Sequence, residues 1–375
     1  MALARSKVNK ITAVLKSRSI KKSVFISQSN DVYTNLALEQ WLYQNFDFKD
    51  HHVMLLTKND PSIVIGHTQN PWVETNIKNH KHLAENGVKL ARRIINGTAS
   101  YQDHGNLNAT FFTSTQDHDS LYNMEILRRA LFREYTLKTN LALNNDLMIR
   151  NYKVSNAASK IGDNSSYLHC SLLVNVNKPD LVDALCKTEP KTTMKYMNLS
   201  DENYKINVES LLSAIGWEFL RTEALTLKDG GKDLANQQKG FNMINPTEKW
   251  FPGLMEIRDE LSKWDWNYGK TPNFTITRSF HVPNAILKNT AGVSSELTIN
   301  MSVENGRIKG VTMFVPPGLS KSGFTGEAKV LTSLKGRKFS EDAINSLEYY
   351  LRGSTNDSTE DKFVSDCVRK VMTSF

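Results

Sequence analysis

Cysteine is scarce in this chain: its 375 residues include three, Cys170, Cys186 and Cys367. An odd number without Cys-x-x-Cys spacing excludes a disulfide framework and a zinc knuckle, and it fits a reducing compartment. Cys170 lies within an apolar stretch, the setting of a buried, inert thiol rather than a nucleophile. Long apolar runs are missing as well, and none approaches the about 20 residues that span a bilayer. His51-His52 and His80-Lys81-His82 have no cysteine or carboxylate frame around them, so no metal site is assigned to protein side chains. There is no internal repeat and no low-complexity block. Acidic residues are absent from positions 1–30, which hold Arg5, Lys7, Lys10, Lys16, Arg18, Lys21 and Lys22. Setting these seven aside reduces the net charge of +8 to 40 basic against 39 acidic residues in the body. A near-neutral body excludes phosphate-backbone binding, which needs many cations on one surface.

The same N-terminal segment carries serines and places Ile11, Val14 and Leu15 at helical spacing, so residues 1–22 read as a mitochondrial transit segment. A disordered basic tail is the other reading of that composition. With 39% hydrophobic and 23% charged residues, the remainder suffices for one large domain and a smaller one.

Strands are expected at 22–27, 53–57, 63–65, 88–95, 110–113, 146–149 and 167–176. The turn residues Lys58-Asn59-Asp60-Pro61 suggest that the second and third form a hairpin. Helices are expected at 35–46, after a Ser120 cap, and at 208–221, where apolar residues recur every three or four positions. The polar, glycine-rich stretch 228–233 marks a change of composition, and a domain boundary is drawn near 245. Beyond it, 274–280 alternates, and Asn305-Gly306 signals a hairpin between 297–303 and 308–315. Helices near 340–352 and 361–373 close a small α+β unit.

Two segments could carry chemistry. From Arg92 to Asn108, a basic strand end enters a loop of small residues, which can let backbone N–H groups approach a phosphate. From Lys153 to Gly162, a lysine is followed by small residues, before a strand that could bring Tyr167, His169 and Ser171 alongside. Gly269-Lys270-Thr271 ends like a phosphate loop, but Trp264 stands five residues before Gly269 and no strand precedes it, so it reads as an ordinary turn.

Taken together, these segments resemble the lipoate-protein ligase and lipoyltransferase family. The first is similar to a signature in which two arginines lead into a triple-glycine loop, then an aromatic, His-Asp and Gly-Asn. The second is similar to the family's lysine motif. Gln69-Asn70-Pro71-Trp72 and the strand 167–173 match further motifs, while 244–247, 251–253 and 264–272 resemble the animal mitochondrial members. The likeness runs from about residue 24 to about residue 315.

This resemblance implies an α+β fold: a biotin/lipoate-ligase-type catalytic domain at 23–245, with a mixed sheet flanked by helices, and a small C-terminal accessory domain at 246–375. It implies acyl transfer from lipoyl-AMP to a lysine on lipoyl carrier domains, those of 2-oxoacid dehydrogenase E2 subunits and the glycine cleavage H protein. Some members also make the adenylate from lipoate and ATP with magnesium. A monomer in the mitochondrial matrix is expected, with no nucleic acid partner and no membrane span. Lys153 matches the catalytic lysine and Arg93 a ligand-binding arginine; Gly97, Thr98, Ala99, Ser100 and Tyr101 match the stretch lining the adenylate, and Ser171 a nucleotide contact.

The chain also departs from the family pattern. Asn96 and Thr98 replace two loop glycines, Gln102 a histidine, His67 an arginine and Asn156 a glycine, Asn144 stands where an animal relative has a ligand-binding arginine, and the segment 188–198 is shortened. A side chain forced into left-handed backbone costs about 1–2 kcal/mol, and a Cβ at Thr98 would hinder close approach of a ligand. The alternative to an active transferase is therefore a catalytically impaired relative that binds lipoyl or acceptor domains without turnover.

Overall fold

The computed structural model describes residues 20–76, 84–185, 196–221, 240–287, 295–320, 324–330, 334–340, 343 and 359–373. Positions 1–19 of the expected transit segment, His80-Lys81-His82, Cys186, positions 188–195 of the shortened segment, the stretch 228–233 and most of the helix expected at 340–352 lie outside them.

Within these bounds the early part of the chain forms strands β1 (Lys21–Ser27), β2 (His51–Thr57), β3 (Ser62–Ile65), β4 (Lys89–Arg92), β5 (Ser100–Gln102) and β6 (Asn106–Ser114). Next come β7 (Asn140–Leu141), β8 (Leu147–Ile149), β9 (Tyr152–Lys153), β10 (Ser155–Ile161), β11 (Ser165–Leu173) and β12 (Phe241–Ile244). The main sheet runs β10-β11-β6-β2-β1-β12, parallel where β1 meets β2 and β12 and antiparallel elsewhere. Two small sheets, β4-β3-β5 and β7-β8-β9, accompany it. This is the expected α+β architecture of a mixed sheet flanked by helices.

Period-two alternation lets one strand serve two cores. Met54 and Leu56 of β2 pack with helices α1 (Ser120–Tyr135) and α2 (Val208–Arg221), through Leu127, Leu131, Leu211 and Ile215. Val53 and Leu55 join the opposite core with Leu38 and Leu42 of the helix Val32–Asn45, and with Leu254 and Leu261 of the helix Leu254–Ser262. Two expectations need correction. β2 and β3 are not a hairpin: β3 pairs with β4 and β5, because Asn59 in the connection is buried and anchored to Asn35 and Gln102, which turns the chain out of the main sheet. Ser120 is not the cap of α1; Asp119 is, its carboxylate accepting from the Tyr122 N–H, where negative charge also suits the helix dipole.

The C-terminal part builds an antiparallel sheet of β13 (Phe274–His281), β14 (Glu296–Glu304), β15 (Arg307–Val315) and β16 (Gly326–Val330), with the helix Thr359–Met372 beside it. Asn305 (φ 50°) and Gly306 (φ 68°) both take left-handed backbone between β14 and β15, as a two-residue hairpin turn requires. Trp72 reaches this second core, its ring 5.4 Å from Tyr268 and 5.2 Å from Phe339.

The two parts meet at Arg92. Its fully buried guanidinium donates to the carbonyls of Gly66, His67, Gln69 and Asn267 and to the Thr271 hydroxyl. The Asn267 side chain accepts from the Arg92 N–H, and the Trp266 indole donates to the Arg92 carbonyl. No carboxylate is among these partners, and burial pushes the Arg92 pKa down to about 10. The 264–272 motif is thus a structural clamp, and its Thr271 holds this arginine.

Arg92→Lys is expected to lower the unfolding free energy by about 3 kcal/mol, because an ammonium cannot match the fork and leaves buried carbonyls bare. Chemical denaturation checks this. A loss below about 1 kcal/mol would mean that the guanidinium does not anchor the seam.

Candidate active site

The site grows from one face of the main sheet. Asn106, Asn108 and Thr110 alternate along β6 and lie opposite Leu173, Ser171 and His169 of β11, so strand register alone assembles a buried polar row. The helix Val32–Asn45 lowers Glu39 onto that row. Its Oε2 accepts from the Thr110 hydroxyl at 2.7 Å and lies 2.8 Å from His169 Nδ1. Burial alone would raise the Glu39 pKa, but His169, Thr110 and the Arg93 charge outweigh it and hold the carboxyl below its ordinary value. Tyr167 feels the reverse: burial first, then Glu39, push its phenol well up.

Arg93 follows the last residue of β4 and points to this face. It is 1% exposed, and Nη2 donates to the Thr98 carbonyl. Its Nε and Nη1, and Nε2 of His169, have no hydrogen-bond partner among the described residues. Burial lowers the Arg93 pKa, a tendency that Glu39, Tyr167 and Asp146 oppose. A buried cation with unspent N–H groups is a receptor for an oxygen-bearing, electron-rich ligand. It lines a narrow cavity with Leu36, Leu55, Val64, Glu39 and His169, and the free space there is about 10 Å³.

Lys153 ends β9 beside this region. Its ammonium lies 2.6 Å from Asp146 Oδ2, with both side chains almost fully buried. Asp146 is itself held by the Ala157 N–H and by the Asn144 side chain. Asn144, at the position where an animal relative has an arginine, therefore orders the carboxylate that holds the lysine. Cys170 is buried and its thiol is pushed up to about 12, so it is inert as expected.

The glycine loop is not strained by its substitutions. Only Gly97 takes positive φ, 145°, and neither Asn96 nor Thr98 does. The expected penalty at those two residues is absent because the chain retains its glycine where the backbone needs one. Gly66 matters for a different reason: a Cβ there would stand 2.2 Å from the Gly97 carbonyl, so the two loops meet backbone to backbone. Gln102 meets all its polar neighbours, accepting from Asn59 and Asn108 and donating to Ser100 and Ser171. His67 contributes its carbonyl to Arg92 and sets its ring 5.9 Å from Trp266.

Among the residues singled out in the sequence, the fold gathers Arg93, Gly97, Thr98 and Lys153 around β10, and links Ser100 to Ser171 through Gln102. The side chains of Ala99 and Tyr101 turn instead into a small core with Ile63 and Leu173, and the Tyr101 hydroxyl donates to Asp180. Sequence reasoning gave no role to Glu39 or Asp146. The signal for Glu39 was an acidic residue directly after the apolar Leu36-Ala37-Leu38; Asp146 offered only its proximity to the lysine motif.

Comparison with known proteins gives a consistent result. The family described as lipoyl protein ligase A/B catalytic domain matches residues 31–220. The mouse protein named lipoyl amidotransferase LIPT1, mitochondrial, is 35% identical over 307 residues, which is 77% of this chain and 75% of the relative. The human protein of the same name is 32% identical over 304 residues, 78% and 76% of the two chains. The crystal structure of P. falciparum LipL1 in complex with lipoate aligns with a TM-score of 0.58 at 25% identity, covering 94% of this chain and all of that one.

Because the folded Glu39 carboxyl is held below its ordinary pKa, its carboxylate adds stability at pH above the ordinary value and loses it as pH falls through the lowered one. Glu39→Gln is expected to lower the urea midpoint more at about pH 7 than at about pH 3. A difference that stays constant across that range would show that the charge of Glu39 is not what holds His169.

Proposed function

The chain belongs to the lipoyl protein ligase A/B family, and from that premise we propose that it transfers the lipoyl group of lipoyl-AMP to the ε-amine of a lysine on a lipoyl carrier domain. The observation that carries this reading is the buried Arg93, whose Nε and Nη1 are unspent, which lines a cavity with Glu39 and His169, and which feels the charge of Asp146, the partner of Lys153. The two cations suit a ligand whose acyl carbonyl and phosphate gain negative charge as reaction proceeds.

In this reaction the acceptor amine forms an amide bond to the acyl carbon while the bond from that carbon to the phosphate oxygen breaks. AMP leaves with the electron pair, and the amine gives up a proton. Lys153 stabilises the negative charge on the carbonyl and phosphate oxygens, with Asp146 fixing its ammonium before the ligand arrives. Arg93 orients the same oxygens. The apolar side chains Leu36, Leu55 and Val64 suit the acyl chain.

Activation of free lipoate would bring ATP and magnesium to the same place. Asp146 Oδ2 is engaged by Lys153, so this carboxylate does not itself offer a magnesium site, and the residues suit the preformed adenylate. The acceptors are the carrier domains of 2-oxoacid dehydrogenase E2 subunits and the glycine cleavage H protein, met by a monomer in the mitochondrial matrix. The names of the mouse and human relatives support the mitochondrial assignment. Among the described residues no helix is long and apolar enough to cross a membrane. We assign 23–245 to the catalytic domain and 246–375 to the accessory domain, with the helix Leu254–Ser262 of the latter packed into the catalytic core. Of the grounds for impaired turnover, the loop strain is absent.

Lys153→Ala is expected to slow transfer by about 10²- to 10³-fold while the fold persists. Mass spectrometry of an apo carrier domain incubated with lipoyl-AMP checks this, with a protein-free control because adenylates acylate amines unaided. Transfer at the wild-type rate in the folded variant would overturn the mechanism.

A further inference from the structure

Two of the departures from the family pattern touch each other. Thr98 Oγ1 donates to Asn156 Oδ1 at 2.9 Å, joining the glycine loop to β10 three residues beyond Lys153. The contact is lost when glycine stands at either position. Thr98 is exposed, whereas Asn156 is 3% exposed, so the bond reaches from the surface into the wall of the site. The carbonyl of the same Thr98 takes up Nη2 of Arg93, and a Cβ on Gly97 would stand 3.1 Å from that of Ala158, so the loop rests directly on the strand. The cavity that Arg93 shares with Glu39 and His169 has about 10 Å³ of free space, room for about one water, while pockets for small-molecule ligands run to about 300 Å³ or more.

We propose that Thr98 and Asn156 form a latch that holds the glycine loop down on β10 while the site is empty and must break to admit the acyl-adenylate. Closure also makes the Thr98 carbonyl a surrogate ligand for Arg93, occupying an N–H that an incoming oxygen would take. Lifting the loop therefore frees that donor of the cavity-lining Arg93. The ligand class rests on the lipoyl-AMP reading, but the latch does not: it is a property of the ligand-free chain. Because the bond opposes entry, its loss speeds association.

The test uses the full chain with Thr98→Val, which keeps the shape and removes the donor, Thr98→Ser, which restores it, Asn156→Ala, and the double variant Thr98→Val/Asn156→Ala. Hydrogen exchange of the ligand-free loop is read by mass spectrometry. Association of a non-hydrolysable lipoyl-sulfamoyl-adenosine is read by stopped-flow fluorescence. Thr98→Val and Asn156→Ala should each raise loop exchange and the association rate about 3-fold, with the double variant no higher than either single one and Thr98→Ser near wild type. Unchanged loop exchange in Thr98→Val, failure of Thr98→Ser to restore it, or additive effects in the double variant would each overturn the latch. If exchange rises as expected and no form binds the analogue, the latch stands and the lipoyl-AMP reading falls. If all forms bind alike and exchange is unchanged, the latch falls and that reading stands.

Discussion

A guanidinium buried among carbonyls, with no carboxylate among its partners, is the constraint around which this molecule is arranged. Arg92 gathers the loop after β3, the end of β4 and the 264–272 clamp into one knot. Removing such a cation from water is costly, and only a nearly complete set of acceptors offsets it. Once the knot is tied, the next residue has no freedom of direction. Neighbours along an extended chain face opposite ways, so Arg93 is delivered to the cavity by the side chain that cannot go there. Two adjacent arginines thereby divide into one that holds the architecture and one that keeps N–H groups in reserve.

The rest of the site follows from the same economy of register. β6 and β11 pair so that Asn108 meets Ser171 and Thr110 meets His169, and a polar row appears on a sheet otherwise buried under apolar side chains. Glu39 completes that row from above and Gln102 knits its far end. Rigid strands position these groups more sharply than loops would, leaving the glycine loop as the part free to adapt.

Much of this was legible in the sequence where local chemistry decides. The strands near β1, β2, β6 and β11, the Asn305-Gly306 hairpin and the helix 208–221 follow from alternation, turn residues and helical spacing. The candidate residues Lys153 and Arg93 came from the family resemblance, and the fold brings both beside the same loop and strand. What stayed hidden depends on pairs distant in sequence. The β2–β3 hairpin failed because Asn59 answers to Gln102, 43 positions away. His169 was placed near the lysine motif by its strand, but its partner Glu39, 130 positions away, read as one polar residue after an apolar run until the fold joined them. Thr98 and Asn156 read as two separate losses of glycine, and only their 2.9 Å contact shows that they act as one feature.

The knot around Arg92 also bears on how this protein can change over time. Most of its acceptors are main-chain carbonyls, which every residue type provides. His67 can therefore stand where the family pattern has an arginine, since the knot uses its carbonyl and not its ring. Gln69 and Asn267 are less free, because each also spends its side chain, on the Gly66 and Arg92 N–H groups respectively. The seam can thus accept sequence drift along most of its length while fixing a few side chains, so the surface around the cleft can diversify without moving the arginine that faces the ligand.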